Sequence, residues 1–469
     1  MSFTSIYFLA GFPAGVLVYY VIPDKLKRIW LLLVSYLFVL LAMPQALVWL
    51  SGITALSYLL GNVLLRKRSK FIFGTSICIL CFLLVFLRRI GIYQVGLLAP
   101  IGISFYMMQA ISYLIEIYNG KIIIAPQLWD YALYISFFPK FLSGPIEKPN
   151  DFIAQIQLQK SIPDYTICKR ALLRMFWGYF EKIVVADHAA IIVNIIFEEY
   201  TDHTGFILIC GAVLYGIQLY ADFDGYSNIA LGAAEFLGYH ITRNFERPYF
   251  SRSIGEFWRR WHISLSTWLR DYIYIPLGGN RKGKRRTYAN LLITFVISGI
   301  WHGTGAKFLF WGILHGIYQV MSKMTLKFRN AMQTRLRINT RCYSYFLFQN
   351  ILTFMMVDFA WIFFRAEGLR QGISYVGHMC KNFALTQIVS TSIYALNVNS
   401  VIITTMILGI AVIIMKDILV ECRIDVLTLL GRQNLLFRWL IYAVLCIWVV
   451  IAYIQLIGLD ASQFIYGQF

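Results

Sequence analysis

Long apolar stretches separated by short polar segments make up most of the chain. A helix needs roughly 20 consecutive apolar residues to cross the hydrocarbon core of a bilayer. Some stretches reach that length, and others are shorter or interrupted by Gly and Pro. The pattern predicts an all-α polytopic membrane protein with about 11 transmembrane helices plus re-entrant or interfacial helices. The apolar runs lie near 4–22, 29–43, 45–65, 71–87, 95–118, 131–146, 171–197, 205–221, 287–301, 306–321, 346–364, 400–417 and 435–457.

Interruptions in this pattern indicate where the chain does not cross the membrane. The stretch ISFFPKFLSGPIEKP contains three prolines and two lysines, which is typical of a short or re-entrant element. Residues 148–170 and 322–345 are polar enough to form surface loops or interfacial helices. Because no long polar stretch provides a separate soluble domain, we expect residues 1–469 to form one membrane domain.

The composition agrees with a membrane protein, since 59% of the 469 residues are hydrophobic and only 14% are charged. The first apolar run begins near Thr4 without a preceding basic residue or a clear cleavage site. It is therefore expected to be a first membrane helix rather than a signal peptide. Cys78 and Cys81 form a C-x-x-C pair inside an apolar run. Without a second pair they are interpreted as small buried apolar residues rather than metal ligands.

The net charge of +19 comes from basic residues in short loops between apolar runs. The positive-inside rule explains such loops without nucleic acid, so no nucleic-acid partner is expected. Membrane lipid and an anionic cytosolic ligand are the alternative partners. The rule puts the N-terminus outside and the basic clusters in the cytosol. The densest cluster consists of Arg281, Lys282, Lys284, Arg285 and Arg286.

One segment, residues 243–319, is polar, cationic and aromatic although apolar runs flank it on both sides. It contains the pairs Trp261-His262 and Trp301-His302, and a third histidine, His315. Ionisable side chains at membrane depth are costly and usually face a cavity or the bundle interior. We therefore expect the functional site in this segment.

A helix through FWRRWHISLSTWLRDY would have an aromatic face and a cationic face. Helical spacing places Trp258 and Trp261 on one face, and Arg259 and His262 on another. An interfacial helix lying on the bilayer is the alternative interpretation. Pro276 and the following Gly-Gly-Asn predict a turn. Because unwound backbone at membrane depth is tolerated only against protein or water, we expect this segment to line a cavity.

His302 has a sequence setting that suits a general base. Gly299, Gly303 and Gly305 flank it, and small residues would leave room for a ligand arm or a second backbone. A neutral imidazole can accept a proton from a hydroxyl, although a packed histidine bonded to a neighbouring helix is also common. His315 lies 13 residues further on and on a different face of a continuous helix. This spacing does not favour a helical metal pair, and no metal is expected.

Acidic residues in the stretches YADFDGYSNIALGAAEFLG and VDFAWIFFRAEG lie in apolar surroundings. Among them, Asp222, Asp224 and Glu235 could pair with the arginines of residues 243–319. We interpret them as structural rather than catalytic.

These motifs resemble one known family. FWRRWHISLSTWLRDYIYIPLGGNRKG followed by SGIWHGTGAKFLFWGILHG is similar to the membrane-bound O-acyltransferase (MBOAT) family. The similarity is greatest to its bacterial alginate O-acetyltransferase membrane subunit branch. SFFPKFLSGPIEKP, YADFDGYSNIALGAAEFLG and FAWIFFRAEG also resemble that branch, so the motif-bearing core spans roughly residues 100–367.

The resemblance implies a bundle with a thin centre and a tunnel leading to the histidine of the WHG motif. It implies that His302 is the main catalytic histidine and His262 the second. The implied donor is cytosolic acetyl-CoA, used as a substrate, and no cofactor is expected. The implied acceptor is a hydroxyl of an extracytoplasmic polysaccharide, reached through a separate periplasmic or extracellular acetyltransferase, and the expected location is the bacterial cell membrane. The candidate substrate-binding residues are Trp301, Trp261, Arg259, Gly303, Asn290 and Asp271.

Two other functions, and a purely structural role, stay open at this point. D-alanyl or other acyl transfer to a cell-wall polymer is one, since that branch shares the FW-RWH and WHG pieces but generally lacks the IPLGGNRKG loop. A proton-coupled transporter that uses the histidines is the other, although the chain shows no inverted repeat. A structural membrane scaffold is a third and weaker interpretation.

Overall fold

The computed structural model describes residues 2–90, 102–158, 162–303, 305–384, 386–387, 396 and 398–458. These residues form α-helices, π-helical and 3-10 turns and loops, and no β-strand occurs among them, which confirms the all-α prediction. The chain divides into two compact units. The first contains most of the chain up to Gly178 together with Tyr226–Arg243, and the second contains Tyr179–Gly225 and the chain from Asn244 onward. No observation decides whether the chain acts as one membrane domain, so that expectation stays a prediction.

The first unit is built mainly from the N-terminal helices. In chain order they are α1 Ile6–Val21, α2 Asp24–Ala42, α3 Pro44–Arg66, α4 Lys70–Ile90, α5 Ile103–Tyr118, α6 Leu128–Ser136, α7 Phe138–Phe141, α8 Pro149–Gln157 and α9 Tyr165–Tyr179. The short α6 and α7 confirm the predicted break in the ISFFPKFLSGPIEKP stretch. There the buried Lys140 donates from Nζ to Oε1 of Gln109 at 2.6 Å, which offsets the cost of removing an ammonium group from water.

The second unit contains the motif-bearing segment, and α11 extends through both units. The remaining helices are α10 Asp187–Glu198, α11 Gly205–Phe236, α12 Ile254–Arg260, α13 Ile263–Leu269, α14 Gly283–His302, α15 Ala306–Met324, α16 Leu326–Arg335, α17 Tyr343–Arg365, α18 Leu369–Lys381, α19 Ser400–Glu421, α20 Val426–Gly431 and α21 Leu435–Gln455. A π-helix, Phe180–Ala186, separates α9 from α10, and a second one, Arg270–Tyr274, follows α13.

Six helices in the described part of the chain, α3, α4, α11, α17, α19 and α21, are long and apolar enough to cross a membrane. The multi-pass prediction is confirmed, but the expected number of about 11 spans is not. The first predicted span is the 16-residue α1, which is apolar but shorter than these six. Cys78 and Cys81 are exposed on the surface of α4, so the expectation that they are buried was wrong.

The helix that contains the apolar run near 205–221 is longer than that run. It continues as α11 to Phe236, so the polar YADFDGYSN stretch lies inside a membrane helix. Asp222 in that stretch pairs with Lys182 of the π-helix at 2.8 Å, and the same Lys182 Nζ lies 2.6 Å from Asp187. A buried cation that bridges two carboxylates offsets part of the cost of desolvating all three groups.

The expected pairing of these acids with the arginines of residues 243–319 was therefore wrong for Asp222. It was also wrong for Glu235, whose carboxylate pairs with Arg174 and Arg170 of α9. The spacing along the sequence could not show these partners, because the basic side chains belong to helices more than 35 residues away.

Candidate active site

The hairpin formed by α14 and α15 carries two of the three site histidines. α15 packs back along α14, and Gly299 faces Gly312 where the two backbones meet. A Cβ built on Gly312 would lie 3.1 Å from Cα of Gly299. Small residues at such a crossing allow close backbone packing. The crossing fixes His302, three residues after Gly299, against the first turns of α15.

Three histidines and three tryptophans of the second unit form one row of contacting rings. None of the six is more than 7% exposed. The row runs His262, Trp301, His302, Trp311, His315 and Trp258, with ring-centre distances of 5.9, 4.8, 4.9, 4.8 and 5.0 Å. Most of these pairs meet edge to face, the geometry that aromatic quadrupoles favour. The structure therefore brings all three histidines of the motif-bearing segment into one site.

Trp301 has a central position in this row, because its ring contacts both His262 and His302. Trp261 is connected to the row through Trp361. Its ring lies 5.1 Å from Trp361, and Trp361 stacks on Trp311 at 5.7 Å. The candidate residues Trp261, Trp301, His262 and His302 are thus brought together. Trp361 was not singled out in the sequence, although its motif FAWIFFRAEG was.

His262 lies at a break between two seven-residue helices, outside the six long apolar helices. Its backbone has φ 42°, a left-handed conformation that costs a non-glycine residue roughly 1–3 kcal/mol. Asn244 supports the break: its carbonyl oxygen accepts from Ile263 N at 2.9 Å, and its side chain accepts from the hydroxyl of Ser264 at 2.7 Å. Strain held in this way is typical of functional positions.

The imidazole of His262 is completely buried and packs edge to face on Phe223 at 4.8 Å. Burial lowers the pKa of His262 to about 3, because the charged imidazolium cannot be solvated there. The ring is therefore neutral at neutral pH, with one nitrogen that can donate a hydrogen bond and one that can accept one.

The helix break also corrects the expected cationic face. Arg259 is exposed whereas His262 is buried, so the two side chains do not share an environment. The neighbouring Arg260 is held by two carboxylates, with Nη2 2.7 Å from Glu256 and Nη1 3.0 Å from Glu421. The prediction assumed one continuous helix. The left-handed backbone at His262 instead turns α13 away from the course of α12.

The position of His315 corrects a second expectation. His302 and His315 would lie on different faces of one continuous helix, but the chain reverses after His302. Both imidazoles consequently pack on Trp311. Trp258 donates from Nε1 to Nδ1 of His315 at 3.3 Å, which leaves the proton of the neutral ring on Nε2. That Nε2 has no hydrogen-bond partner among the described residues.

The glycines around His302 confirm one of the two expected roles, close packing of a second backbone. A Cβ on Gly299 would overlap the backbone of Phe308, and one on Gly303 would overlap the ring of Phe308. The space beside both glycines is therefore filled by α15. The expectation that these two leave room for a ligand arm was wrong, whereas Gly305 has only ordinary contacts.

Two candidate substrate-binding residues lie away from the row of rings. Asn290 is buried and donates from Nδ2 to the carbonyl oxygens of Leu277 and Gly279 at 3.3 and 3.0 Å. It stands about 18 Å before His302 along α14. Asp271 lies in the π-helix after α13 and pairs with Arg270 at 2.8 Å. Neither residue's substrate role is tested by these contacts, and both roles stay predictions.

Asn290 fastens the IPLGGN turn that the sequence predicted. Gly278 and Gly279 have φ values of 108° and 53°, which glycine adopts without strain. The turn places the cationic cluster that begins at Arg281 at the N-terminal end of α14. The 20 residues of α14 put about 30 Å between that cluster and His302.

The row of rings places three imidazoles in surroundings that exclude water. A neutral imidazole can accept a proton from a hydroxyl group and later return it. Among the described residues, no group of three or more His, Cys, Asp or Glu side chains has the geometry to hold a metal ion. The histidines contact tryptophans instead, which keeps their ring orientation fixed.

Comparison with known proteins agrees with this site. The model of the membrane-bound O-acyltransferase family (MBOAT) matches residues 121–363. This range includes every residue of the row of rings. The probable alginate O-acetylase AlgI of Pseudomonas aeruginosa is 33% identical over 395 residues, covering 79% of this chain and 73% of the relative. The peptidoglycan O-acetyltransferase of Helicobacter pylori is 30% identical over 429 residues, covering 80% and 79%. The teichoic acid D-alanyltransferase of Streptococcus thermophilus is 31% identical over 247 residues, covering 50% and 59%.

Proposed function

Because this chain belongs to the membrane-bound O-acyltransferase family, we propose that it moves an acetyl group from cytosolic acetyl-CoA toward a hydroxyl of an extracytoplasmic polysaccharide. The chain is a multi-pass O-acyltransferase of the bacterial cell membrane.

Similarity to relatives supports acetyl as the transferred group. Relatives named for alginate and peptidoglycan O-acetylation match about four fifths of this chain, whereas the D-alanyltransferase of Streptococcus thermophilus matches half of it. The IPLGGNRKG loop favours the same choice. These relatives are named for acyl transfer to alginate, peptidoglycan and teichoic acid, which supports a polymer acceptor such as a polysaccharide.

The observation that carries the proposal is the pair of buried histidines, His262 and His302, that both contact Trp301. In the proposed reaction, a neutral ring nitrogen of His302 accepts the proton of the acceptor hydroxyl. The hydroxyl oxygen attacks the thioester carbonyl carbon, the carbon–sulfur bond breaks, and the departing CoA thiolate takes the proton back from His302. No net proton is gained or lost. His262 also contacts Trp301, with its ring centre 5.9 Å away, and assists as the second histidine.

The length of α14 sets the route that the donor must follow. With the cationic cluster at Arg281 in the cytosol, His302 lies about 30 Å away toward the opposite end of α14. The acetyl-bearing arm of CoA would therefore reach inward from the cytosolic side while the acceptor approaches from outside. A separate extracytoplasmic acetyltransferase would accept the acetyl group on its own hydroxyl and pass it to the polysaccharide.

The test uses purified full-length protein in nanodiscs with acetyl-labelled acetyl-CoA, with and without an extracytoplasmic acceptor. His302→Ala should lower the rate of CoA release by about 10²–10⁴-fold, the usual contribution of a general base. The matched control is His240→Ala, an exposed histidine outside the site. Near-normal turnover in a folded His302→Ala protein would reject His302 as the base, and acetyl-CoA that is never consumed by the wild type would reject the donor.

A second experiment addresses donor entry. Charge reversal at Arg285 and Arg286, with topology verified, should raise the apparent KM for acetyl-CoA, and added salt should reduce the difference from wild type. An unchanged KM would leave these residues with a topological role alone.

A further inference from the structure

Helix α16 and its flanks form a cationic surface that the proposed reaction does not use. Residues 323–341 contain six basic residues, and no Asp or Glu occurs anywhere between Asp271 and Asp358. None of the ten residues of α16 is buried. The six basic residues are Lys323, Lys327, Arg329, Arg335, Arg337 and Arg341.

Helix α16 is hydrogen-bonded to the end of α15 on one side and to the membrane helix α17 on the other. Arg329 donates from Nη2 to the carbonyl oxygen of Ser322 at 2.8 Å, near the end of α15. Gln333 donates to the hydroxyl of Tyr345 at 2.6 Å, in the first turn of α17. Because α17 is one of the six helices that can cross a membrane, α16 lies where the chain enters the bilayer.

The same end of the second unit carries the cationic cluster that begins at Arg281. Lys323 donates from Nζ to Oδ1 of Asn280 at 3.3 Å, one residue before that cluster. The basic residues of the α16 segment therefore add to those of the 281–286 loop on one end of the α14–α15 hairpin. So much positive charge without an acidic residue needs an anionic partner or water.

Two exposed apolar residues of α16 and the residue that caps it show which partner fits. Phe328, Met332 and the cap Leu336 are 67%, 36% and 60% exposed and follow one another at intervals of four, which aligns them in one stripe. At 100° per residue, Arg329 and Arg335 lie on the two sides of this stripe. Long cationic side chains beside an apolar stripe can reach phosphate groups while the stripe enters the acyl region.

We infer that α16 binds the anionic phospholipid headgroups of the adjacent membrane leaflet, with Arg329 and Arg335 on the phosphates and the stripe in the acyl region. A soluble anion such as a nucleotide would satisfy the arginines but would leave the apolar stripe in water. An anionic lipid satisfies both features, and the position beside α17 places α16 at the depth where such lipids lie.

The experiment measures binding of fluorescent phosphatidylglycerol and fluorescent phosphatidylcholine to detergent-purified full-length protein. One cationic residue near an anionic surface contributes about fivefold in affinity, so Arg329→Gln with Arg335→Gln should weaken phosphatidylglycerol binding roughly thirtyfold. Arg329→Lys with Arg335→Lys should bind nearly as the wild type does, which separates charge from folding. The matched control is Arg423→Gln with Arg432→Gln, which removes two exposed arginines elsewhere in the second unit.

Three results would overturn the inference. The first is equal affinity of the wild type for the two lipids. The second is the same loss in the Arg423 and Arg432 control as in the α16 variant, since the effect would then come from net charge. The third is full competition by millimolar inorganic phosphate, which would identify a site for free anions rather than a lipid surface. Loss of phosphatidylglycerol binding in Phe328→Ser with Leu336→Ser would further support insertion of the stripe.

Discussion

A methyl group added at the crossing of α14 and α15 tests whether backbone contact positions the site. In Gly299→Ala the new Cβ would lie 3.3 Å from Cα of Gly312 and 3.2 Å from the carbonyl carbon of Phe308, and would overlap the oxygen of that carbonyl. All three neighbours are backbone atoms of α15, so no flexible side chain can move aside. The two helices must separate.

The magnitude follows from the packing. Overpacking of this kind typically costs about 1–3 kcal/mol. In a domain of a few hundred residues each kcal/mol lowers the Tm by roughly 2–4 °C. Activity should fall further than stability, because His302 follows Gly299 by less than one turn and its contacts to Trp311 lie on the other helix. A displacement near 1 Å at reacting groups can cost about 10²-fold in rate.

Thermal unfolding and acetyl-CoA turnover are measured on the same reconstituted protein. Gly74→Ala is the matched control, since a Cβ on Gly74 would meet nothing within 4 Å. That variant should be neutral or slightly more stable, because alanine is favoured over glycine inside a helix by about 1 kcal/mol. The reasoning would be refuted if Gly299→Ala kept both its wild-type Tm and its wild-type turnover. A large loss of Tm with unchanged turnover of the folded fraction would show that the crossing stabilises the hairpin without positioning His302.

Two further substitutions test contacts outside the row of rings. Lys182→Met removes the cation shared by Asp187 and Asp222, so the protein should lose about 3–5 kcal/mol of stability. Thermal unfolding should show partial recovery of this stability in the double variant Lys182→Met with Asp222→Asn. An unchanged stability of the single variant would contradict the ion-pair assignment. Asn290→Leu leaves the carbonyl oxygen of Gly279 without its donor, which should cost about 1–3 kcal/mol of stability. Limited proteolysis should then cut the turn faster than in the wild type. An unchanged cleavage rate would show that the turn does not depend on this side chain.

The local pattern of the sequence determined the class of the protein and the segment that contains the candidate site. Apolar runs long enough for a bilayer predicted a multi-pass helical protein, because backbone polar groups in hydrocarbon must be satisfied inside a helix. Gly278 and Gly279 predicted a turn that the structure contains, since only glycine adopts those φ values readily. The paired Trp-His motifs predicted a site in residues 243–319, and the row of rings lies there.

Tertiary structure decided which of those residues meet. His315 joins His302 because the chain reverses between them, whereas the periodicity of one continuous helix separates the two. Arg259 and His262 diverge because the backbone turns left-handed at His262, supported by Asn244 from outside the helix. The spaces beside Gly299 and Gly303 are filled by Phe308, and Asp222 pairs with Lys182. Each of these outcomes depends on a partner distant in sequence or on a change of backbone direction, and a local hydrophobic period contains no information about either.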